Sequence, residues 1–179
     1  MVFGIVCLVW LLIEHKKSEK RLWHSLRDMD WGTAVFIIAV FVFVQSLSST
    51  GIITDLAKFV GAVGGSNTLG TFIFIVMLSV AISAVVDNVP YMVAMLPVTQ
   101  IVAQNLAVSP YVFYFGVLIG TSVGGNITPI GASANIVGVG MLKGHGYKTT
   151  FWEFMNIGLP FTLVTCAVSC FFIWLMFGR

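Results

Sequence analysis

Near its middle the chain reads Ser83-Ala84-Val85-Val86-Asp87-Asn88-Val89-Pro90, inside a mostly apolar segment that covers residues 69–106. A segment of this length and composition predicts a membrane-spanning helix, because about 20 apolar residues cross the hydrocarbon core. Pro90 has no backbone N–H and clashes with the preceding turn, so the helix is expected to break beside it. The break places the carboxylate of Asp87 and the carboxamide of Asn88 at membrane depth, where polar groups need partners.

A second apolar segment, residues 111–142, is interrupted in the same way. Its middle reads Gly124-Gly125-Asn126-Ile127-Thr128-Pro129-Ile130-Gly131-Ala132-Ser133-Ala134-Asn135. The side chains of Asn126, Thr128, Ser133 and Asn135 offer uncharged hydrogen-bond donors and acceptors. Together with Asp87 and Asn88, they form the predicted binding site for a substrate or ion. The alternative is a kink that is sealed by its own hydrogen bonds.

Asp87 is the central candidate in this site. An ionisable residue inside a spanning segment costs roughly 2.5–3.5 kcal/mol on insertion scales and is therefore a functional candidate by default. Its carboxylate can bind sodium directly with the help of Asn88, or it can take up and release a proton during a transport cycle. The alternative is a structural carboxylate that is satisfied by Asn88 or by backbone amides at a half-helix N-terminus.

Shorter segments flank the two interrupted ones. Residues 33–63 hold two apolar stretches, each too short to cross a bilayer, separated by a polar turn. We predict a re-entrant helical hairpin here, which is tolerated only where its backbone is buried in protein or lines a cavity. A tilted full span is the alternative. The predicted tip of the hairpin consists of Ser46, Ser48, Ser49 and Thr50.

These segments give the predicted domain organisation. Residues 1–13 are a partial transmembrane helix, since at 1.5 Å per residue they cover roughly 20 Å of a ~30 Å hydrocarbon core. Residues 14–30 are a polar loop with an interfacial amphipathic helix. Residues 31–179 are a transport domain. It consists of the hairpin 33–63, the broken helix 69–106, the discontinuous helix 111–142 and a final span 160–177.

The composition predicts an all-α, polytopic membrane protein. Of 179 residues, 58% are hydrophobic and only 9% are charged, against roughly a quarter charged in an average soluble domain. Five Lys and Arg residues lie between positions 16 and 27, which places that loop in the cytoplasm and the chain in the cell membrane. Acidic residues alternate with them, so nucleic acid is not an expected partner.

Catalytic motifs are missing from the sequence. It contains no HExxH, no GxSxG and no Gly-rich phosphate loop followed by Lys, and we therefore expect no enzymatic activity. No cofactor is expected beyond sodium or protons as coupling ions. Cys7, Cys166 and Cys170 lie in apolar segments without a CxxC pair and are interpreted as packing thiols.

The two interruptions, followed by Gly144-His145-Gly146-Tyr147, resemble the ion transporter superfamily. The match covers about residues 30–177, and its most specific part is the run from Gly124 to Asn135. The chain is most similar to the arsenite permease and NhaD-type sodium/proton antiporter family. In that superfamily each half of an inverted repeat contributes a re-entrant hairpin and a broken helix, and the two halves enclose the site.

The resemblance implies that this chain is the C-terminal half of a secondary active ion transporter that works by alternating access. The expected partners are the lipid bilayer, a small inorganic ion, and either an N-terminal half or a second copy. Dicarboxylate-transporting relatives carry a Ser-Asn-Thr signature at the broken helix, where this chain has Asp87-Asn88-Val89. This favours sodium exchanged for protons, or arsenite or another oxyanion, over citrate. A non-transporting membrane scaffold or assembly subunit is the alternative of another class.

Overall fold

The computed structural model describes residues 31–65 and 67–178, and in this part of the chain it contains seven α-helices and no strand. The helices are α1 (Trp31–Ser49), α2 (Ile52–Gly64), α3 (Thr68–Ser83), α4 (Asn88–Asn105), α5 (Tyr111–Gly124), α6 (Ser133–Gly144) and α7 (Phe151–Phe177). The predicted all-α fold is confirmed. The partial helix at 1–13 and the amphipathic segment at 14–30 lie outside the described residues. The described residues up to 39 belong to a different unit from the described residues from 40 onward, and the packing below is that of the second unit.

The helices α1 and α2 form a bent pair. The segments Val35–Ser49 and Ile52–Gly64 meet at 74°, and Gly51 between them has a left-handed φ of 82°, which glycine adopts without steric cost. Ser49 Oγ donates to the carbonyl of Ser46 at 2.9 Å and Thr50 Oγ1 to that of Leu47 at 3.0 Å. The predicted hairpin tip therefore coincides with the bend, whose angle fits a re-entrant loop as well as a broken span.

The tightest helix contact joins α3 to α5, and glycines make it. A Cβ atom on Gly120 would lie 2.8 Å from the carbonyl oxygen of Val76, and one on Gly124 would lie 2.6 Å from that of Val80. Such glycines let two backbones approach closely in a membrane. Phe72 and Phe113 are fully buried beside this contact. It holds the ends of α3 and α5, where the two interruptions begin, side by side.

Other contacts complete the packing. Helix α2 lies against α3 and α4, α4 packs on α5, and α5 packs on α7. Tyr91 and Ser79 form a buried hydrogen bond of 3.1 Å between α4 and α3. Because Ser79 Oγ donates to the carbonyl of Ile75, the phenol of Tyr91 is the donor in this pair. Among the described helices, α6 packs against no other and has no buried residue.

Helix α7 is 27 residues long and is, within the described residues, the single helix that is by itself long and apolar enough to cross a bilayer. The bent α1–α2 pair meets the same criterion when it is taken as one span, while α3 and α5 are shorter apolar helices. The final span was predicted at 160–177, but the helix begins at Phe151. Thr150 and Glu153 form a capping box at this end, which stabilises the earlier start.

Candidate ion-binding site at the two helix breaks

The two interruptions lie against each other. The break between α3 and α4 covers residues 84–87, and that between α5 and α6 covers residues 125–132. Thr128 Oγ1, which is buried, donates to the carbonyl of Ala84. Gly131 is packed so closely that a Cβ atom there would lie 2.8 Å from the Ala84 oxygen and 2.6 Å from the Gly125 oxygen. The sequence-predicted breaks thus form one junction.

Side-chain donors satisfy some of the carbonyl groups that the breaks expose. The last four carbonyls of a helix have no partner within the helix. Asn135 Nδ2 donates to the carbonyls of Gly125 at 2.8 Å and Thr128 at 3.0 Å. At the end of α5, Thr162 from α7 donates to the carbonyl of Val123 at 3.1 Å. The carbonyls of Gly125 and Thr128 in the second break, and that of Val123 just before it, are therefore occupied by the protein's own side chains.

Asn88 is held in the same network. Ser83 Oγ contacts Asn88 Oδ1 and also lies 2.8 Å from the carbonyl of Thr121. A hydroxyl has one proton, so Ser83 donates to Thr121, and the Asn88 amide satisfies the pair best with its NH2 group turned toward Ser83. In that orientation Asn88 donates to Ser83, and the Ser83 hydroxyl and the Thr121 carbonyl are both paired.

The N-termini of α4 and α6 converge at Gly125. A Cβ atom on Gly125 would lie 3.4 Å from the side-chain amide of Asn88 and 3.5 Å from the Cβ of Ala132, so both helix starts flank one point. Neither N-cap residue, Asp87 or Ala132, caps its helix with a side chain. The uncapped N–H groups, which have no acceptor among the described residues, belong to Asn88, Val89, Ser133 and Ala134.

Three of the predicted site residues remain outside the network. Asp87 and Ser133 are exposed, and neither side chain forms a hydrogen bond or ion pair within the described part of the chain. Asn126 is half-buried and lines a cavity of about 640 Å³ beside Glu153 and Gly158 on α7. These three side chains are available to a ligand or to a neighbouring polypeptide.

The remaining predictions have mixed outcomes. Ser46, Ser48, Ser49 and Thr50 form no hydrogen bond with the two breaks in the described structure. A sodium site at Asp87 and Asn88 stays a prediction, and the described residues contain no group of three or more His, Cys, Asp or Glu side chains that could hold a metal.

Sequence reasoning missed two members of the network. Thr162 on the final span received no role, although it donates across to the carbonyl of Val123 on α5. Ser83 received no role, although it joins α3 to both breaks. A small hydroxyl residue in the last turn before a helix break was the available signal.

Comparison with known proteins finds one matching family model and relatives that are named as transporters. The family model described as citrate transporter matches residues 1–120 and 63–179. An uncharacterized transporter of Synechocystis is 33% identical over 190 residues, which cover 97% of this chain and 42% of that protein. An uncharacterized transporter of Mycobacterium tuberculosis is 34% identical over 157 residues, covering 85% of this chain and 36% of that protein.

The human P protein is 30% identical over 177 residues, covering 93% of this chain and 20% of that protein. The chain thus spans about two-fifths or less of the length of these relatives. No solved structure matches the chain.

Proposed function

The chain belongs to the citrate transporter family, and we propose that it is the C-terminal half of a secondary active transporter that moves a small anion across the cell membrane by alternating access. The observation that carries the proposal is the convergence of two uncapped helix N-termini, those of α4 and α6, at Gly125. Half-helix N-termini carry a positive partial charge and free N–H donors, and transporters use them to bind anionic groups at membrane depth.

Several carbonyls at the helix breaks already accept hydrogen bonds from side chains. This favours an anion over a cation as the ligand beside Gly125. Sodium in such transporters is held by exposed backbone carbonyls and helix C-termini. Here the carbonyls of Ala84, Val123 and Gly125 already accept hydrogen bonds from side chains. The N–H groups at the starts of α4 and α6 have no acceptor among the described residues, and these donors favour an oxyanion or a carboxylate as the transported species.

Asp87 fits the role of the coupling residue. Its carboxylate is the N-cap of α4 and so lies next to the N–H groups that would bind the anion. Two like charges 4 Å apart repel by about 4 kcal/mol at an effective dielectric constant near 20, which corresponds to roughly a 1,000-fold loss of affinity. Sodium or a proton on Asp87 removes this repulsion, and anion binding then depends on the coupling ion.

Two arguments bear on the identity of the anion, and they point to different anions. The family description names citrate, whereas the resemblance to arsenite permeases and NhaD-type antiporters, with Asp87-Asn88-Val89 in place of Ser-Asn-Thr, favours arsenite or another oxyanion. Both classes present oxygen acceptors to N–H donors. We favour the oxyanion over citrate, because the site is small and the carboxylate of Asp87 would repel the carboxylates of citrate.

Sodium/proton exchange is the second candidate. The observation that favours it is that Asp87 has no cationic side chain as a partner among the described residues. A carboxylate in that situation is free to bind sodium and protons alternately. In this case the ion is transported on Asp87 itself and the N-termini hold no substrate.

The test compares two aspartates in the full-length transporter, reconstituted in proteoliposomes. Asp87→Asn copies the neutralised carboxylate, so we expect the variant to keep passive arsenite or citrate exchange but to lose accumulation driven by a sodium or proton gradient. Asp55→Asn is the matched control, because Asp55 is an exposed carboxylate paired with Lys58 at 3.0 Å, and it should stay within about twofold of wild type.

Each outcome selects an interpretation. Gradient-driven anion accumulation by Asp87→Asn at the wild-type level would refute the coupling role. Sodium flux that needs no anion and disappears in Asp87→Asn would identify sodium/proton exchange. A full-length protein that moves none of the three probes would support the non-transporting scaffold.

A further inference from the structure

A cavity of about 640 Å³ lies where the end of α6, the loop after it and the first half of α7 meet. Most of its wall is apolar and consists of Leu142, Phe154, Ile157, Gly158 and Phe161. The four α7 residues follow one another at three- and four-residue spacing, so this wall runs along one face of the helix. Ile157 and Phe161 are exposed. The cavity is therefore an open, apolar groove along α7.

Polar groups lie at the end of the groove where α7 begins. Glu153 lines the cavity there, and its Oε2 accepts the backbone N–H of Thr150 at 2.9 Å. Its Oε1 accepts no hydrogen bond within residues 31–65 and 67–178. Lys143 and Lys148 each adjoin a lining residue in sequence, and both are exposed and form no ion pair in the same ranges. This end of the groove thus combines one carboxylate with two neighbouring lysines.

The polar end of the groove is suited to the membrane surface. Trp152 and Tyr147 beside it are 70% and 66% exposed, and both residue types are enriched where hydrocarbon meets the lipid headgroups. From Glu153 to Phe161, α7 rises about 12 Å, so the groove runs from headgroup level into the hydrocarbon core. A molecule that fills it is amphipathic, polar beside Glu153 and apolar beside Phe161.

The volume of the groove suits one acyl chain. At roughly 30 Å³ for a group the size of a water molecule or a methylene, the cavity holds about twenty such groups, as in an acyl chain of about 16–18 carbons with its ester. A helix about 10 Å across would need roughly 900 Å³ over the same length of α7, which exceeds the cavity. Asn126 lines the cavity beside Gly158, about 7.5 Å along α7 from Glu153, and its amide can donate to an ester carbonyl.

We propose that this groove binds phosphatidylethanolamine, with its ammonium on Glu153, its phosphate on Lys143 and Lys148 and one acyl chain along α7. The carboxylate in the cavity discriminates between headgroups. A headgroup with a phosphate and no cation brings a like charge to Glu153, and a choline headgroup has no N–H for the open oxygen. A primary ammonium satisfies Glu153 while the phosphate pairs with the lysines. This lipid site does not depend on which ion the protein transports.

The test is lipid binding to the purified full-length protein in detergent, followed by native mass spectrometry. The probes are phosphatidylethanolamine, phosphatidylcholine and phosphatidylglycerol with identical acyl chains. We expect one phosphatidylethanolamine per chain, bound about tenfold more tightly than phosphatidylcholine because of one more charge-assisted hydrogen bond. A diazirine in its acyl chain should crosslink to Phe154, Ile157 and Phe161, and not to Leu163, which is exposed on the opposite face of α7.

Two charge variants test the headgroup contacts. Glu153→Gln retains the capping box with Thr150 but removes the negative charge, so phosphatidylethanolamine should bind about tenfold more weakly, at the level of phosphatidylcholine. Lys148→Gln should weaken both lipids, because they share the phosphate. Lys58→Gln is the matched control, since Lys58 is an exposed lysine paired with Asp55 outside the groove, and it should leave all affinities unchanged.

A filling variant tests the acyl-chain contact. Leu142→Trp enlarges a side chain that lines the cavity on α6, which packs against no other described helix. The added ring should exclude the acyl chain and abolish the preference for phosphatidylethanolamine without a clash in the packed core. Met141→Trp is the control, because Met141 is exposed and lies outside the cavity wall. An unchanged elution volume and helix content show that each variant is folded.

Three results would overturn the proposal. One is a Glu153→Gln variant that binds phosphatidylethanolamine as tightly as wild type. Another is phosphatidylglycerol bound more tightly than phosphatidylethanolamine, which would make this an anionic-lipid site. The third is a crosslinking pattern spread evenly around α7 together with unchanged binding in Leu142→Trp, which would mean that polypeptide and not lipid covers the groove.

Discussion

Two groups of polar side chains at the helix breaks differ in what they contact. The sealed junction, formed by Ser83, Asn88, Thr128 and Asn135, has its side chains hydrogen-bonded to backbone carbonyls or to one another. The open edge, formed by Asp87, Asn126 and Ser133, has no side-chain partner in the described part of the chain. A broken helix in lipid must first satisfy its own backbone, and only the polar groups left over can bind a ligand.

The glycines of α5 and α6 show the same difference between packed and open surroundings. Gly120 and Gly124 on α5 are pressed against the backbone of α3. Gly138 and Gly140 on α6 have no atom within 4 Å of where a Cβ would be. One helix is fixed in a packed interface and the other lies unpacked among the described residues, so identical residue types carry different constraints.

Gly124→Ala should give the largest loss of stability. The new methyl group would lie 2.6 Å from the carbonyl oxygen of Val80, and overpacking of this kind costs about 1–3 kcal/mol. Gly140→Ala is the matched control and should be neutral or stabilise α6 by up to about 1 kcal/mol. Unfolding of the detergent-solubilised chain by SDS titration measures both. Equal stability of the two variants would contradict the packed-versus-open distinction.

Thr128→Val should cost about 2 kcal/mol. The substitution keeps the side-chain shape but removes the donor to the Ala84 carbonyl, and a buried acceptor left without a partner costs about 1–3 kcal/mol. Thr128→Ser retains the hydroxyl and should lose less than half as much. The same titration gives the comparison, and a Val variant as stable as wild type would mean that the junction is not sealed by this bond.

Thr162→Val should have a smaller effect, about 0.6 kcal/mol, the average measured for interhelical hydrogen bonds in a membrane protein. It removes the bond from α7 to the Val123 carbonyl. Thr165→Val, one turn away, removes a hydroxyl that makes no side-chain hydrogen bond within the described residues and serves as the control. If the control is equally destabilised, the loss does not come from the interhelical bond.

Ser133→Ala should change the free energy of unfolding by less than about 0.5 kcal/mol, because the side chain is exposed and forms no hydrogen bond within the described residues. Its effect should appear in transport, as a weaker apparent affinity for the anion in the full-length protein. A destabilised Ser133→Ala variant would place Ser133 in the sealed junction instead.

The positions of the breaks could be predicted from sequence, but the partners of their side chains could not. Pro90 and the Gly124–Asn135 run interrupt apolar segments, and local backbone chemistry alone predicts that a helix cannot continue there. Thr128 and Asn135 were predicted to bind a ligand, whereas in the structure they bond to backbone carbonyls. A sequence shows which donors exist, but tertiary packing decides which acceptors they reach.

The start of α7 could have been predicted from the sequence, whereas the hydrogen bonds that Ser83 and Thr162 form with α5 could not. The capping box of Thr150 and Glu153 is a local signal with the spacing of a helix start. The start of α7 at Phe151 was therefore predictable from the sequence. The roles of Ser83 and Thr162 depend on residues about forty positions away in sequence. A hydroxyl in the last turn before a break indicates that Ser83 has a partner, but no pattern within α3 or α7 indicates which residue that partner is.

The length of α7 makes the chain sensitive to the thickness of its bilayer. Its 27 residues extend about 40 Å, roughly 10 Å more than an average hydrocarbon core. Such a helix tilts or lets its end stand among the lipid headgroups, where Trp152 and the Glu153 cap are suited to lie. Gly158 packs on Asn126 in the turn that follows α5, and Thr162 bonds to the last turn of α5. A thinner membrane that tilts α7 further would therefore pull on the helix breaks, and lipid composition becomes a variable in the transport assay.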